Sequence, residues 1–421
     1  MEINVKTLRE ALELLEPAVN MKRTLEALRF IRLGDGQAIA TDLELAVTVR
    51  VPEAAGEPVL LPIKQALDFL TYTPGQETAH IELTKGTVTI KANSTETQYK
   101  VPDAQDFPPI PTVKAEGEGV LDGDTLLRAL KAVCPYTATD DTRPVLTAIC
   151  LTPGEEVEVA AADGFRLAWE PVMGKLSGEK PLLIPSRAVH ILGHLWKRCA
   201  RPEMADIADP ARLAAAKRLI RLEWGNGQLQ MNFGEVRFLV QLVQGDYPKY
   251  RSLIPTEAGP SFTLMAEDME RALCQLRGMA KDGGEAVRLV WEGNKLTLSS
   301  AADELGATQV EVRVICSAPG RIAARYPNLH DYFTGRTGSV TISTQSPSAP
   351  MLFAYRGTPH VVMMPMFVQW GDEAPPTDPD SGTAEETEEG NGDPVAVATP
   401  GEEPTPTPEP AKARGRRKKK E

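Results

Sequence analysis

The chain has 421 residues, of which 42% are hydrophobic and 25% are charged, as is ordinary for a globular protein of several domains. Five widely spaced cysteines without a C-x-x-C pair argue against a disulfide framework or a zinc site and favour a reducing, cytoplasmic compartment. The formal net charge of −12 argues against nucleic acid as a partner, unless the basic residues are gathered on one surface. No signal peptide and no apolar run of the roughly 18 residues needed for a membrane span is evident.

Residues 1–118 predict a helix, strands, a second helix and further strands. The segment "TLREALELL" spaces its apolar residues three or four apart, which indicates one buried helix face. Strands are predicted in "AIATDLELAVTVRV", a strand that runs into a helix at Pro62 in "VLLPIKQALDFL", and a hairpin in "HIELTKGTVTIKA". The proline-rich joint "FPPIPTVKAEGEG" follows at 107–119.

The same order of elements returns twice, which indicates an internal repeat. In residues 119–256 the corresponding segments are "DTLLRALKAV", "VAAADGFRLAWEPV", "PLLIPSRAVHIL", "IRLEWGNGQLQMN" and "DYPKYRSLIPT". In residues 257–369 they are "DMERALCQL", "LSSAADELGATQVEV", the weaker "VICSAPGRIAARY" and the degenerate hairpin "SVTISTQSPSAPMLF". The pattern leaves the structure of residues 318–334 open.

The spacing of independent anchors supports this repeat. Asp42 and Asp163 are 121 residues apart, and Asp163 and Asp303 are 140 apart, the same spacing as from Pro108 to Pro248. Pro62 and Pro185 are 123 residues apart, and the 17-residue excess of 140 over 123 is the length of a predicted insertion at 201–217. We therefore predict an α+β protein of three similar domains, 1–118, 119–256 and 257–369, each with antiparallel sheets and two helices.

Residues 370–421 differ in kind, since they contain few large apolar residues and many Pro, Glu, Thr and Gly. Such a segment cannot bury enough surface to offset its ordering entropy, and we predict a disordered tail. It is acidic up to a basic tip, "KARGRRKKK". We hypothesise that this tip adds a salt-dependent tether to DNA; the alternative is that the tail only keeps the protein soluble.

Several phrases, in order and within the three-repeat frame, resemble the bacterial DNA polymerase III β subunits, the sliding-clamp family. They are "LPIKQAL", "DFPPIP", "TDDTRPVLTAICL", "AADGFRLA", "LLIPSRAV", "DYPKYRSLIP" and "HVVMMPM". The resemblance implies a DNA clamp fold and a head-to-tail homodimer that closes into a ring around duplex DNA and slides on it. It implies a processivity factor without catalytic residues, metal or cofactor. The partners implied are duplex DNA, the replicative polymerase, the clamp loader and other clamp-binding peptides, with no membrane.

Ring closure needs exposed edge strands on the first and third domains, and "TETQYKV" and "ELGATQVEV" are the candidates. The resemblance also implies a groove in which partner proteins dock a short peptide. Leucine, methionine and proline side chains would form an adaptable apolar trough there, with an arginine at its rim as a hydrogen-bond donor. By position the groove comprises Leu146, Gly164, Phe165, Arg166, Leu167, Pro248, Leu253, Val361, Val362, Met364, Pro365 and Met366.

The predicted helices and the turns beside them carry basic residues although the protein is acidic, which predicts a cationic channel for phosphates. The candidate DNA-binding residues are Lys22, Arg23, Arg128, Lys131, Arg187, Lys197, Arg198, Arg201, Arg271 and Arg277. No aromatic platform or recognition-helix signature accompanies them, so binding should not depend on base sequence.

Two other functions are consistent with parts of the sequence. A clamp-fold scaffold that no longer closes on DNA is the main alternative, because the third repeat is weak and the tail is long. His190 and His194 have the i, i+4 spacing of a metal-binding pair, which would suit a hydrolase, but no H-E-x-x-H accompanies them. Asp140 and Asp141 are a potential carboxylate pair, but "TATDDTRP" indicates a loop.

Overall fold

The computed structural model describes residues 1–19, 25–140, 142–199, 218–257, 259–302, 305–356 and 359–370. Lys22, Arg23 and Arg201, the insertion at 201–217 and the predicted tail from residue 371 lie outside these residues. Met1–Val368 form one compact unit. The domain boundaries proposed from the sequence at residues 118 and 256 remain predictions.

The described chain is built from a β-α-β-β-β unit that occurs six times, in three successive pairs. The first pair is β1 Glu2–Asn4, α1 Val5–Leu15, β2 Phe30–Gly34, β3 Gln37–Thr41 and β4 Leu45–Arg50, then β5 Val59–Pro62, α2 Ile63–Thr71, β6 Thr78–Thr84, β7 Thr87–Ala92 and β8 Thr95–Lys100. The second pair is β9 Gly117–Asp122, α3 Gly123–Val133, β10 Ala148–Thr152, β11 Val157–Ala162 and β12 Arg166–Val172 with a short β13 Gly174–Leu176, then β14 Leu182–Pro185, α4 Ser186–Cys199, β15 Leu219–Gly225, β16 Gln228–Phe233 and β17 Val236–Gln241.

The third pair has the same order, so the predicted α+β architecture is confirmed, with two α-helices in the described part of each repeat. It is β18 Ser261–Met265, α5 Ala266–Asp282, β19 Ala286–Glu292, β20 Lys295–Ala302 and β21 Gly306–Arg313 with a short β22 Ile315–Cys316, then β23 Gly320–Arg325, α6 Tyr326–Phe333, β24 Ser339–Ser343, β25 Met351–Tyr355 and β26 His360–Met363. We call the three pairs the first, second and third copies.

The helices form where apolar side chains repeat on one face, and in α1 and α3 a polar side chain also caps the first turn. The Asn4 side chain accepts hydrogen bonds from the amides of Lys6 and Thr7, and Asp122 accepts one from the amide of Thr125 at 2.8 Å. The segment that the sequence left open, 318–334, forms β23 and then α6. This helix buries Leu329, and Pro327 stands in its first turn, where a missing amide hydrogen costs nothing.

Strands pair across the two units of each copy and then between copies. The first strand of each unit joins the three strands of its neighbour, as β1 does with β6 and β5 with β2. Between copies, β4 pairs antiparallel with β17 and β12 with β26. These two junctions create two nine-stranded sheets, while β1-β6-β7-β8 and β21-β20-β19-β23 remain four-stranded.

The structure corrects the alignment of the repeats at one position, the alanine of the Ala-x-Asp pattern in the third copy. Ala40 and Ala161 are fully buried, whereas Ala301, aligned with them from the sequence, is exposed. The β20–β21 hairpin is longer than β3–β4, since its pairing continues to Ala302 and Gly306. When positions are counted from the turn before β3 and from the turn before β20, the residue equivalent to Ala40 is Leu298. Leu298 is also fully buried.

Buried tryptophans lie directly against glycines at the sheet edges. Trp291 is 1% exposed and its indole nitrogen donates to the Ala318 carbonyl at 2.9 Å. A Cβ atom added to Gly320 would stand 2.2 Å from the Trp291 ring. The ring can move aside only by disturbing the core, so this glycine is required by packing.

We predict that Gly320→Ala lowers the free energy of unfolding by about 1–3 kcal/mol, the usual cost of overpacking a core. The matched control is Gly278→Ala on α5, where an added Cβ meets nothing within 4 Å. That variant should gain about 0.5–1 kcal/mol from helix propensity. Urea denaturation of both variants measures the difference, and equal stabilities would contradict the packing argument.

Candidate functional site

A tight turn between β11 and β12 forms the rim of the predicted groove. The Asp163 Oδ1 atom accepts hydrogen bonds from the amides of Phe165 at 2.9 Å and Arg166 at 2.7 Å. Gly164 takes the positive φ of 93° that this turn needs and that suits glycine. Phe165 is left 58% exposed, and its carbonyl accepts the amide of Met364 at 2.8 Å. The turn is therefore joined to the chain end that follows β26.

The floor of the groove is an apolar patch on the sheet face opposite the helices. It is separate from the main core and consists of Ala148, Cys150, Ala160, Leu167, Leu183, Tyr250 and Val362. A 3₁₀ turn at Tyr250–Leu253 covers one side and exposes Leu253. Met364 and Pro248 are also exposed, while Pro365 and Met366 are half-buried. Leu146 is buried in another 3₁₀ turn, Pro144–Thr147, and is not part of the patch.

Two tyrosines of the floor were not among the residues predicted from the sequence. The rings of Tyr247 and Tyr250 meet edge to face with centroids 6.1 Å apart, and the Tyr250 hydroxyl donates to Glu158 at 2.5 Å. Their spacing in "DYPKY" was the available signal. Burial raises the pKa of both phenols and raises the pKa of the Cys150 thiol to about 11, so these groups are uncharged at neutral pH.

The assignment of Val361 to the groove is wrong. Successive side chains of a strand point to opposite faces, and Val362 occupies the groove face of β26. Val361 therefore points inward, where it is fully buried in the main core.

Arg166 does not stand free at the groove rim as the sequence suggested. Its Nε atom donates to Asp163 Oδ2 at 2.8 Å, and Nη1 lies 3.4 Å from Asp331 Oδ2 on α6. The guanidinium also lies over the Tyr136 ring, 5.4 Å from its centroid, and the side chain is only 13% exposed. These contacts join the second copy to the third and fix the turn from within.

Most of the described basic residues predicted to face DNA are held by carboxylates. Arg187 binds the buried Asp42 at 2.5 Å and Glu44 at 3.1 Å, which links the second copy to the first and corrects its assignment as a free phosphate ligand. Ion pairs also join Arg128 to Glu170, Arg198 to Glu13 and Arg271 to Asp268. Lys131, Lys197 and Arg277 are exposed and make no ion pair with other described residues.

The histidine pair on α4 does not form a metal site within the described residues. The His194 Nε2 atom lies 3.0 Å from the Glu13 carbonyl oxygen, with which it shares a hydrogen bond. No group of three or more His, Cys, Asp or Glu side chains in the described ranges is placed to hold a metal ion. Among those ranges, no helix is both long and apolar enough to cross a bilayer.

Repeated β-α-β-β-β units, sheets that continue from copy to copy and helices gathered in one core define a protein of the DNA-clamp fold class. Residues 120–249 match the family described as DNA polymerase III beta subunit, central domain. The chain is 24% identical over 319 residues to the beta sliding clamp of Synechococcus elongatus, covering 74% of this chain and 81% of that relative. It is also 24% identical over 312 residues to the beta sliding clamp of Staphylococcus epidermidis, covering 70% and 78%.

Solved structures agree with this fold. The DNA polymerase III subunit beta from Pseudomonas aeruginosa superposes with a TM-score of 0.75 at 20% identity, covering 87% of this chain and all of that one. The DNA polymerase III beta subunit from Thermotoga maritima gives 0.74 at 18% identity, covering 87% and 99%. The resemblance predicted from the sequence is confirmed.

We predict that Arg166→Met lowers the free energy of unfolding by about 1–3 kcal/mol, because two charged hydrogen-bond partners lose their donor. It should also speed hydrogen exchange at the Met364 amide, which depends on the turn. The control, Arg271→Met, removes an ion pair exposed on both sides and should stay within about 0.5 kcal/mol of the parent. Urea denaturation and hydrogen exchange check both, and an equal effect in the two variants would contradict the role of Arg166.

Proposed function

We propose that the protein is a DNA polymerase processivity factor: a non-enzymatic ring of two chains that encircles duplex DNA, slides on it and tethers partners through the groove beside Phe165. The matched relatives are named beta sliding clamps, and the fold agrees with that of a solved DNA polymerase III subunit beta. The three-domain division at residues 118, 256 and 369 is part of this proposal.

The observation that carries the proposal is the rule by which copies join. In both junctions the last strand of a first unit pairs with the last strand of a second unit: β4 with β17, and β12 with β26. Two strands of the same kind remain: β21, the last strand of the first unit in the third copy, and β8, the last strand of the second unit in the first copy. Each is an edge strand of its sheet. In a dimer, β21 of one chain would pair with β8 of the other chain in a third junction of the same kind. The remaining β8 and β21 would pair in the same way and close the ring.

The turns of the structure support the equivalence of β8 and β17. The turn before β7 has positive φ at Lys85 and Gly86, 50° and 74°, and the turn before β16 has 51° and 71° at Asn226 and Gly227. By this alignment Tyr99 corresponds to Val240, which is 1% exposed. Tyr99 also packs against the core but is only half-buried.

The opposite edge shows the same incomplete burial. Counted from the turns before β3 and β20, Val310 of β21 corresponds to Val47 of β4, which is fully buried in its junction. Val310 packs against the core and remains half-buried. Apolar side chains that line the core at both open edges favour a partner strand at each.

The alignment of the two edges also gives a register for the contact. Phe238 stands opposite Val47 in the β4–β17 junction, and their counterparts are Thr97 and Val310. Both counterparts lie on the inward face of their strands. We therefore expect Thr97 of one chain to stand opposite Val310 of the second chain of the dimer.

We predict that the double variant Thr97→Cys, Val310→Cys forms a covalent dimer with a short bis-maleimide, to which one thiol of each chain adds, because opposite residues of paired strands have neighbouring Cβ atoms. The control pair Thr97→Cys, Glu311→Cys places the thiols on opposite faces and should not react across the contact. Native mass should be twice 45.7 kDa. A ladder of longer products would contradict ring closure, and a stable monomer at micromolar concentration would contradict the dimer.

Binding to DNA should depend on the exposed cations of the helices. We predict that the ring, once loaded, stays on closed circular DNA and runs off linear DNA, and that Lys197→Glu weakens binding and flattens its salt dependence. The control is Arg237→Glu, an exposed cation on the outward face of β17, which should bind as the parent does. Affinity titrations at several salt concentrations measure this, and equal retention on linear DNA would contradict sliding.

A clamp-fold scaffold that does not encircle DNA is the second candidate. It is favoured by the ion pairs that hold Arg128, Arg187, Arg198 and Arg271, since these reduce the positive field of the helices. The circular-DNA experiment separates the two functions.

A further inference from the structure

The junction of the first and second copies carries a groove built like the one beside Phe165. Asp42 Oδ1 accepts hydrogen bonds from the amides of Glu44 at 3.1 Å and Leu45 at 3.0 Å, as Asp163 does in the second copy. Leu43 has a positive φ of 76° where the second copy has Gly164. Ala46 and Leu239 are paired in this junction as Leu167 and Val362 are in the other.

An apolar patch lies beneath this second turn and is separate from the main core. It consists of Ala27, Ile39, Leu60 and Phe107, with Phe30, Val101, Ala104 and Ile110 packed against it. The segment 107–111 covers it, as the segment with Tyr250 covers the floor of the first groove. We call the groove formed by Leu43, Ala46, Leu239 and Pro108–Pro111 the second groove.

Leu43 is the residue that points to a ligand. Its side chain is 63% exposed, and its backbone stands in the left-handed region, which costs free energy for any residue but glycine. The second copy has a glycine, Gly164, at the same position of its turn. A leucine that is both strained and exposed to water gains nothing from the fold, and retained strain of this kind clusters at ligand sites.

The space beside the segment 107–111 can receive a short chain. A cavity of about 890 Å³ lies on one side, lined in part by Ile39, Leu83 and Phe107. A narrower one of about 50 Å³ lies on the other side, lined in part by Leu43, Ala46 and Leu239. Both cavities are walled by Pro108–Pro111, which form a rigid, largely apolar ridge between them.

The charge around the second groove is opposite to that around the first. The exposed carboxylates of Glu57 and Asp103 line the larger cavity, where Arg32 is paired with Asp35 at 2.5 Å. Glu44 lines the smaller cavity and is already paired with Arg187. Arg237 is the exposed cation among the residues that line them. The first groove instead carries the exposed Arg143 near Gly164 and Lys249 beside Pro248.

We propose that the second groove binds short extended peptide segments in which an aliphatic residue is flanked by lysine or arginine. Leu43, Leu239 and the prolines contact the aliphatic side chain, and the carboxylates of Glu57 and Asp103 pair with the basic residues. The inference rests on the proposed function, because it takes the groove beside Phe165 to be a peptide site. It gives the protein two docking sites of different charge preference on one chain.

The test uses the full chain with methyl-labelled leucine, isoleucine and valine and two synthetic peptides, Lys-Leu-Gly-Leu-Lys and Glu-Leu-Gly-Leu-Glu. We expect the basic peptide to shift the methyl resonances of Leu43 and Leu239 to saturation in the millimolar range, with at least tenfold weaker binding of the acidic peptide. Leu43→Gly should weaken the basic peptide at least tenfold without lowering the thermal midpoint, because it removes the anchor and relieves the turn. Leu43→Met, the control, should bind as the parent does.

A third peptide with leucine and phenylalanine anchors reports separately on Leu167 and Val362, and its shifts should vanish in the variant Met364→Ala, Met366→Ala. If that peptide does not bind, the proposed first groove fails while the second is still read from its own signals. No shift at Leu43 and Leu239 up to 10 mM basic peptide, equal shifts with the acidic peptide, or unchanged binding in Leu43→Gly would each overturn the second groove.

Discussion

The structure depends on one interaction above the others, the antiparallel pairing of last strands between copies. Backbone amides and carbonyls at a sheet edge need partners, and β4 with β17 and β12 with β26 provide them within the chain. Charged contacts reinforce each junction: Arg187 with Asp42 at the first, and Arg166 with Asp163 and Asp331 at the second. Each groove lies where a junction meets an Asx-type turn, so the two proposed docking sites lie at the joints between copies.

The sequence predicted the repeat well because its anchors are local. Apolar spacing in "TLREALELL" and its counterparts predicted the helices, and turn glycines and prolines marked the strand ends. It predicted the Asp163–Gly164 turn because aspartate and glycine have a direct physical reason to stand there. It left the structure around α6 open, because the segment around Pro327 lacks the strand-proline signature of the other copies.

Other features could not be predicted because they depend on contacts distant in sequence. Arg166 and Asp331 are 165 residues apart, and Arg187 and Asp42 are 145 apart. Nothing local distinguishes these arginines from free surface cations. The inward orientation of Val361 depends on which face of β26 covers the core, and strand pairing alone settles that. The longer β20–β21 hairpin displaced Ala301 for the same reason.

The position of β26 has a consequence for the synthesis of the chain. This strand, at residues 360–363, lies between β12 and β25 in the sheet, although β12 leaves the ribosome nearly 200 residues earlier. Until the last strand arrives, β12 exposes an unpaired edge and the apolar floor that includes Leu167. Pairing over such a sequence separation is slow, and an open strand edge is prone to aggregate in the meantime. Until β26 is made, the second copy therefore has an open strand edge that can pair with another chain.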